Sequence, residues 1–265
     1  MKVIVFGNLK GGTGKTTVAF NIGGILAGRN KKVLFIDVDP QANLSDNAGI
    51  DTADQTGATI KDVFEDPVHV RAEDIITKSP MDELPNVDII SSHIKLSKTE
   101  LQLVSSPARE RILYKWMERN MDVLKQYDYI IIDTNPSMGV INQNAFMAAD
   151  SIILVSDVSK KAINGTQLFT YMWGEICESM GIEDRTNALL LNNCDKRIGL
   201  TRSIKEFYQD DEELGKILLE NTLPSRVDVK NTETEYLPIN LTGPKSDASV
   251  AFHAVVEEMI ERGVL

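Results

Sequence analysis

The sequence predicts an α/β protein built on a doubly wound, mostly parallel sheet with helices on both faces. Three observations carry this. Apolar runs recur without polar alternation, as in Val33-Leu34-Phe35-Ile36, Ile130-Ile131-Ile132, Ile152-Ile153-Leu154-Val155 and Leu189-Leu190-Leu191. Strands that read as continuous apolar runs are covered on both faces, which is the environment of a parallel sheet. Helical stretches separate these runs. A glycine-rich, lysine-bearing turn, Leu9 to Thr17, joins the first apolar run to the first helical pattern.

Taken in order, strands are expected at 2–7, 32–37, 86–91, 128–133, 151–156, 187–193 and near 216–222. Helices are expected at 16–29, 107–126, 138–148, 161–180, 201–213 and 246–262. Residues 45–80 are the least regular stretch and read as an insertion or capping element within one domain spanning 1–265. In such a sheet, ligands bind at the carboxyl ends of the strands, where residues 8–15 fall.

Composition bounds the function. The chain has 265 residues, 42% of them hydrophobic and 25% charged, enough for a sizeable core. The net charge of −11 opposes nucleic acid and anionic lipid, so any DNA contact must come from a local basic patch. Cys177 and Cys194 have neither metal spacing nor a disulfide framework, and read as free thiols in a reducing cytosol. Met1-Lys2 runs straight into the first strand and no apolar run is long enough for a membrane span, so a cytoplasmic location is expected.

The turn Leu9-Lys10-Gly11-Gly12-Thr13-Gly14-Lys15-Thr16-Thr17 lies between strand and helix, the context that makes a phosphate loop credible. Its glycines let backbone N–H groups face phosphate oxygens without a Cβ in the way. The helix start adds unpaired N–H groups and a positive dipole end. Lys15 is placed to reach β- and γ-phosphates, and Thr16 to set a hydroxyl on Mg²⁺. The usual glycine six places before the lysine is replaced by Leu9, and a second lysine, Lys10, precedes the paired glycines.

Carboxylates end two other strands. In Phe35-Ile36-Asp37-Val38-Asp39-Pro40-Gln41-Ala42-Asn43, the spacing puts Asp37 and Asp39 on one side of an extended segment. Two like charges held together call for a cation or a proton-transfer task, although Asp-Pro also favours a plain turn. In Ile130-Ile131-Ile132-Asp133-Thr134-Asn135-Pro136-Ser137, Asp133 suits a residue that holds a Mg²⁺-bound water or Thr16, or one that caps the next helix.

Together these residues resemble a known family. Lys10 to Thr17 matches the deviant Walker A motif, Asp37-x-Asp39-Pro40-Gln41-x-Asn43 a second motif, and Ile130 to Asp133 with Pro136-Ser137 a third. They resemble, in order along nearly the whole chain, the ParA branch of the ParA/MinD P-loop ATPases, which segregate plasmids and chromosomes. The resemblance implies an ATPase that uses ATP and Mg²⁺. Lys10 would be the signature lysine, reaching across an ATP-sandwich homodimer to the partner's nucleotide. Gly11, Gly12, Thr13 and Gly14 would wrap the phosphates, with Lys15, Thr16 and Thr17 completing the nucleotide contacts. Thr16, Asp37 and Asp133 would serve the metal, and Asp39 would position or activate the attacking water. Adenine contacts would fall at Asn192 or Asn193 and near Leu223-Pro224, although strand-end asparagines also make turns.

The resemblance further implies an ATP-bound dimer that binds DNA nonspecifically, associates with the nucleoid, and is released on hydrolysis stimulated by a ParB-like centromere-binding partner. Lys196, Arg197, Arg202 and Arg226 are the DNA-contact candidates, against the plainer reading of scattered solvated cations. Two departures stand out: Asn135 where the family has a small residue or proline, and Asp228 where a second arginine is common. The first strand begins at once, so the N-terminal sequence-specific DNA-binding domain of larger relatives is not expected. The alternative is a MinD-like or other cargo-positioning ATPase acting on membrane or a protein cargo. MinD-like proteins end in a basic amphipathic helix, whereas Val255 to Leu265 is acidic, so no membrane partner is expected.

Overall fold

The computed structural model describes all residues except 54, 55, 196–198 and 226, and the side chains of 227, 230 and 231. Seven strands form one sheet: β1 (Lys2–Gly7), β2 (Val33–Asp37), β3 (Thr77–Lys78), β4 (Val87–Ile90), β5 (Tyr129–Asp133), β6 (Ser151–Asp157) and β7 (Thr186–Asn192). Their order is β3-β4-β2-β5-β1-β6-β7. Every pairing is parallel except the short β3–β4 edge.

Alternate residues of each strand serve opposite layers, which explains the unbroken apolar runs. Val3 and Val5 of β1, with Ile130 and Ile132 of β5, pack on one side against the helices Ile112–Arg119, Val140–Ala148 and Lys160–Met180. Ile4 and Phe6, with Ile131, pack on the other against Lys15–Gly28 and Asp247–Glu261. Both tryptophans are buried packing residues in the first layer.

Residues 45–80, which carry only short helical and strand hints in sequence, form short helices at Ile60–Glu65 and Ala72–Ile75 and the strand Thr77–Lys78. A capping box between Thr59 and Asp62 starts the helix Ile60–Glu65. Ile60, Val63, Phe64, Ala72 and Ile75 are buried in the first layer, so the segment packs on the sheet.

Three expectations change. The stretch near 216–222 is not a strand: it forms a short helix, Leu214–Ile217, and then meets β7 through an isolated bridge between Leu218 and Leu189 and through Leu219 N and Leu223 N, which donate to Leu189 O and Leu191 O at 2.9 Å each. The cause is Glu258, whose carboxylate accepts the backbone N–H groups of Glu220 and Asn221 at 2.6 and 2.8 Å and takes them out of any ladder. The long helix expected over 107–126 is broken into a 3-10 turn at Arg109–Arg111 and helices Ile112–Arg119 and Met121–Leu124. Asn120 makes the second break: its side chain donates to Trp116 O and accepts from Ala72 N, tying the chain sideways. Helices at Leu96–Leu103 and Val227–Glu235 have no counterpart in the sequence reading.

Candidate nucleotide site

The phosphate loop leaves the carboxyl end of β1, beside the point where the chain order of the strands reverses. Asn8 roots it. Its amide donates to Val155 O at 2.9 Å and to Thr166 Oγ1 at 3.1 Å, and its Oδ1 accepts from Lys10 N at 2.9 Å. Gly12 and Gly14 have φ of 77° and 88°, backbone conformations that suit glycine. At Gly14 a Cβ would also meet Asn192 Nδ2 at 2.3 Å. That amide donates to Thr13 O at 2.8 Å and props the loop from beneath. The helix Lys15–Gly28 starts without a side-chain cap, which leaves its first N–H groups to an anion.

Beneath the loop lies a surplus of buried carboxylate. Asp37 and Asp133 stand side by side in the β2–β5 register and are fully buried. Burial raises both carboxyls well above the usual range, and for Asp37 the charge of Asp133 adds to it. Asp37 is fully engaged: Oδ1 accepts from Asp39 N at 3.0 Å, and Oδ2 from both Ser45 N and Ser45 Oγ at 2.8 Å. Asp133 is not. Its Oδ2 accepts from Thr16 Oγ1 at 2.6 Å, while its buried Oδ1 has no partner among the described residues. Asp39 is 8% exposed and is also raised by burial, against a hydrogen bond from Gln41 N and the charge of Lys15. Lys15, 6% exposed, is lowered by burial, opposed by the charges of Asp133 and Asp39.

An open cavity of about 510 Å³ joins these groups. Gly11, Gly12, Gly14, Lys15, Thr16 and Thr17 form its floor, with Asp39, Asn43 and Asp46 on one side and Thr134 and Pro136 on another. The roof comes from Glu233 and Tyr236, which the sequence did not single out. Glu233 Oε1 accepts from Thr17 Oγ1 at 2.6 Å. Asn43 closes the second sequence motif and so had a local signal. Glu233 and Tyr236 had none, because more than two hundred residues separate them from the loop they cover.

Lys10 stands apart from the cavity. Its Nζ donates to Asp157 Oδ2 at 2.5 Å, on the last residue of β6. Gly165 makes room for this: a Cβ there would lie 2.9 Å from Lys10 Cβ. The neighbouring Thr166 Oγ1 also accepts from the Tyr208 hydroxyl at 3.2 Å, which links the loop through Asn8 to the helix Gly199–Asp210.

The remaining expected residues fall elsewhere. Asn192 lies under the loop, Asn193 is exposed at the strand end with φ of 55°, and Pro224 forms a bridge with Cys194. None of the three lines the cavity. Asn192 thus props the loop with one N–H of its amide, given to Thr13 O. Lys196, Arg197 and Arg226 lie outside the described residues. Arg202 is exposed and paired with Glu206 at 2.8 Å. No group of metal-ligating side chains rich in His, Cys or carboxylate is found among the described residues, and no described helix is long and apolar enough to cross a membrane.

Residues 1–183 match a family model described as an AAA domain. The sporulation initiation inhibitor protein Soj of Bacillus subtilis is 30% identical over 267 residues, covering 99% of each chain. The chromosome partitioning protein ParA of Caulobacter vibrioides is 28% identical, covering 99% of this chain and 95% of its own. Among solved structures, apo McdA of Cyanothece superposes with a TM-score of 0.80 at 24% identity, over 98% of this chain and 99% of that one, a likeness of fold. With the three motifs converging on one cavity and relatives matched end to end, the chain belongs to the ParA-type partition ATPases of the ParA/MinD family.

Proposed function

We propose that the cavity binds ATP with Mg²⁺, and that hydrolysis there switches a homodimer between DNA-bound and released states. The observation that carries the reading is the unpartnered, buried Asp133 Oδ1 beside the Thr16 hydroxyl and Lys15. A buried carboxylate oxygen without a partner is costly, and a cation would satisfy it.

Under this reading each residue has a task. The N–H groups of Gly11 to Thr16 and the ammonium of Lys15 hold β- and γ-phosphate oxygens. Thr16 and Asp133 would hold Mg²⁺; Asp37, with both oxygens hydrogen-bonded, supports that shell from behind and fixes the turn bearing Asp39. When bound, Mg²⁺ would supply neutralisation of the charge that develops on the phosphates. Asp39 orients the attacking water, and burial makes its carboxylate a better proton acceptor near neutral pH. Thr17, freed from Glu233, adds a hydroxyl to the nucleotide contacts.

Lys10 leaves Asp157 and reaches the partner subunit's phosphates, so the complete site exists only in the dimer and ATP binding and dimerisation favour each other. The net charge of −11 requires DNA binding to be local and steeply salt-dependent, with Lys196, Arg197, Arg202 and Arg226 as the contacts. A ParB-like partner stimulates hydrolysis and release from the nucleoid.

Asp39→Ala tests the site. It should bind ATP as the wild type does while turnover falls on the order of 10²-fold or more, the scale of a lost general base. Wild-type turnover in this variant would remove Asp39 from catalysis. A mobility shift that is absent with ATP at low salt would remove DNA from the function while leaving the ATPase reading intact.

A further inference from the structure

A second cavity, of about 240 Å³, lies at the opposite end of the molecule from the phosphate loop, beside the amino ends of β6 and β7. Three helices and a loop meet there. Arg111 and Tyr114 come from the segment leading into and along Ile112–Arg119, and Phe146 and Met147 from the last turn of Val140–Ala148. Trp173 comes from Lys160–Met180, and Ile182, Glu183 and Arg185 from the loop before β7.

Two features of this cavity serve no purpose in the nucleotide site. Trp173 is 1% exposed and packs edge-on against Phe146 at 5.3 Å, yet its indole N–H has no partner among the described residues. Leaving a buried donor unmet costs about 1–3 kcal/mol, so such groups call for an acceptor. The Arg111 guanidinium has no hydrogen bond or ion pair among the described residues; its charge, with that of Arg185, reaches the Tyr114 phenol, which is hydrogen-bonded to Glu118. Arg185 is partly committed, donating to Ala149 O at 2.8 Å and standing 3.9 Å from Asp150.

We infer that this cavity is a binding site for a small organic monocarboxylate with a compact apolar body. The guanidinium of Arg111 supplies the carboxylate partner, with Arg185 alongside. Phe146, Met147, Ile182 and the ring of Trp173 supply apolar wall. Glu183 on the wall and Asp150 behind Arg185 balance the two guanidiniums in formal charge, which disfavours a multiply charged ligand such as a phosphate. The volume falls below the ~300 Å³ at which drug-sized pockets begin, so the ligand is small. Thr166, which holds Asn8 at the root of the phosphate loop, lies on the same helix as Trp173, about two turns earlier.

The test uses the full chain without nucleotide and titrates benzoate and 4-methylpentanoate by calorimetry, with benzamide and 4-methylpentanamide as uncharged counterparts. Saturable binding of at least one carboxylate at one site per chain is expected. It should weaken by about tenfold or more for the amide and in Arg111→Gln, the scale of one charge-assisted hydrogen bond. The Arg111 side chain is exposed and unbonded, so this variant should keep the wild-type melting curve. The inference is overturned if neither carboxylate saturates, if amide and carboxylate bind alike, or if a correctly folded Arg111→Gln binds as the wild type does.

Discussion

Lys10 is held on its own subunit by Asp157, with Nζ 2.5 Å from the carboxylate at the end of β6. The lysine proposed to act on a neighbouring subunit is therefore docked away from its own cavity. Releasing it costs the pair, whose side chains are 23% and 15% exposed. For a partly solvated pair this is about 1 kcal/mol, or several-fold in an equilibrium. Asp157→Asn should therefore raise the ATP-dependent dimer population several-fold, read by sedimentation velocity. A dimer population equal to or below the wild type would show that the pair does not restrain Lys10.

Gly14 is the loop position least able to accept a side chain. An alanine there takes a φ of 88° and drives its Cβ to 2.3 Å from the Asn192 amide that holds Thr13. The left-handed backbone costs roughly 1–2 kcal/mol, and losing the Asn192 bond adds about 1 kcal/mol. Gly14→Ala should melt ~4–10 °C lower and bind ATP at least about tenfold more weakly. Calorimetry and nucleotide titration check both. Gly12→Ala, with φ of 77° and open space around its Cβ, should melt closer to the wild type than Gly14→Ala.

Glu258 joins the last helix to the segment beside β7. Burial pushes its carboxyl up, but the N–H groups of Asn221 and Glu220, the Asn221 side chain and Arg262 outweigh this and hold it below the usual range. A carboxyl depressed in the folded state adds stability above its unfolded value, near 4.5, and loses it as pH falls through the lower folded value. Glu258→Gln should cost about 1–3 kcal/mol at pH 7. The gap to the wild type should narrow as the pH drops below the ordinary glutamate range. Melting curves across that range check the sign; a gap that widens in acid would contradict it.

The sheet was legible because both faces are buried: Ile130, Ile131 and Ile132 go alternately to opposite layers, so no polar residue interrupts the run. The loop and the carboxylates around it were legible because Gly11 to Thr17, Asp37 to Asp39, and Asp133 each follow or end a strand and keep their neighbours in sequence. What escaped notice depends on distant pairs. Glu258 diverts the backbone at 220–221 from a ladder, and Asn120 breaks a helix by bonding to Ala72. Glu233 reaches Thr17, and Asp157 reaches Lys10, without any local pattern to announce them. The helix Leu96–Leu103 buries only Leu96, Thr99 and Leu103, a stripe too sparse to stand out.

The central claim is that Lys10 completes a site shared between two subunits. Sedimentation of wild type and Lys10→Ala with ATP and Mg²⁺, paired with nucleotide affinity, tests it most directly. The expected result is an ATP-dependent dimer in the wild type, a monomer in Lys10→Ala, and ATP affinity in the monomer within about tenfold of the wild-type value. A Lys10→Ala dimer of normal stability with normal turnover would contradict the shared site.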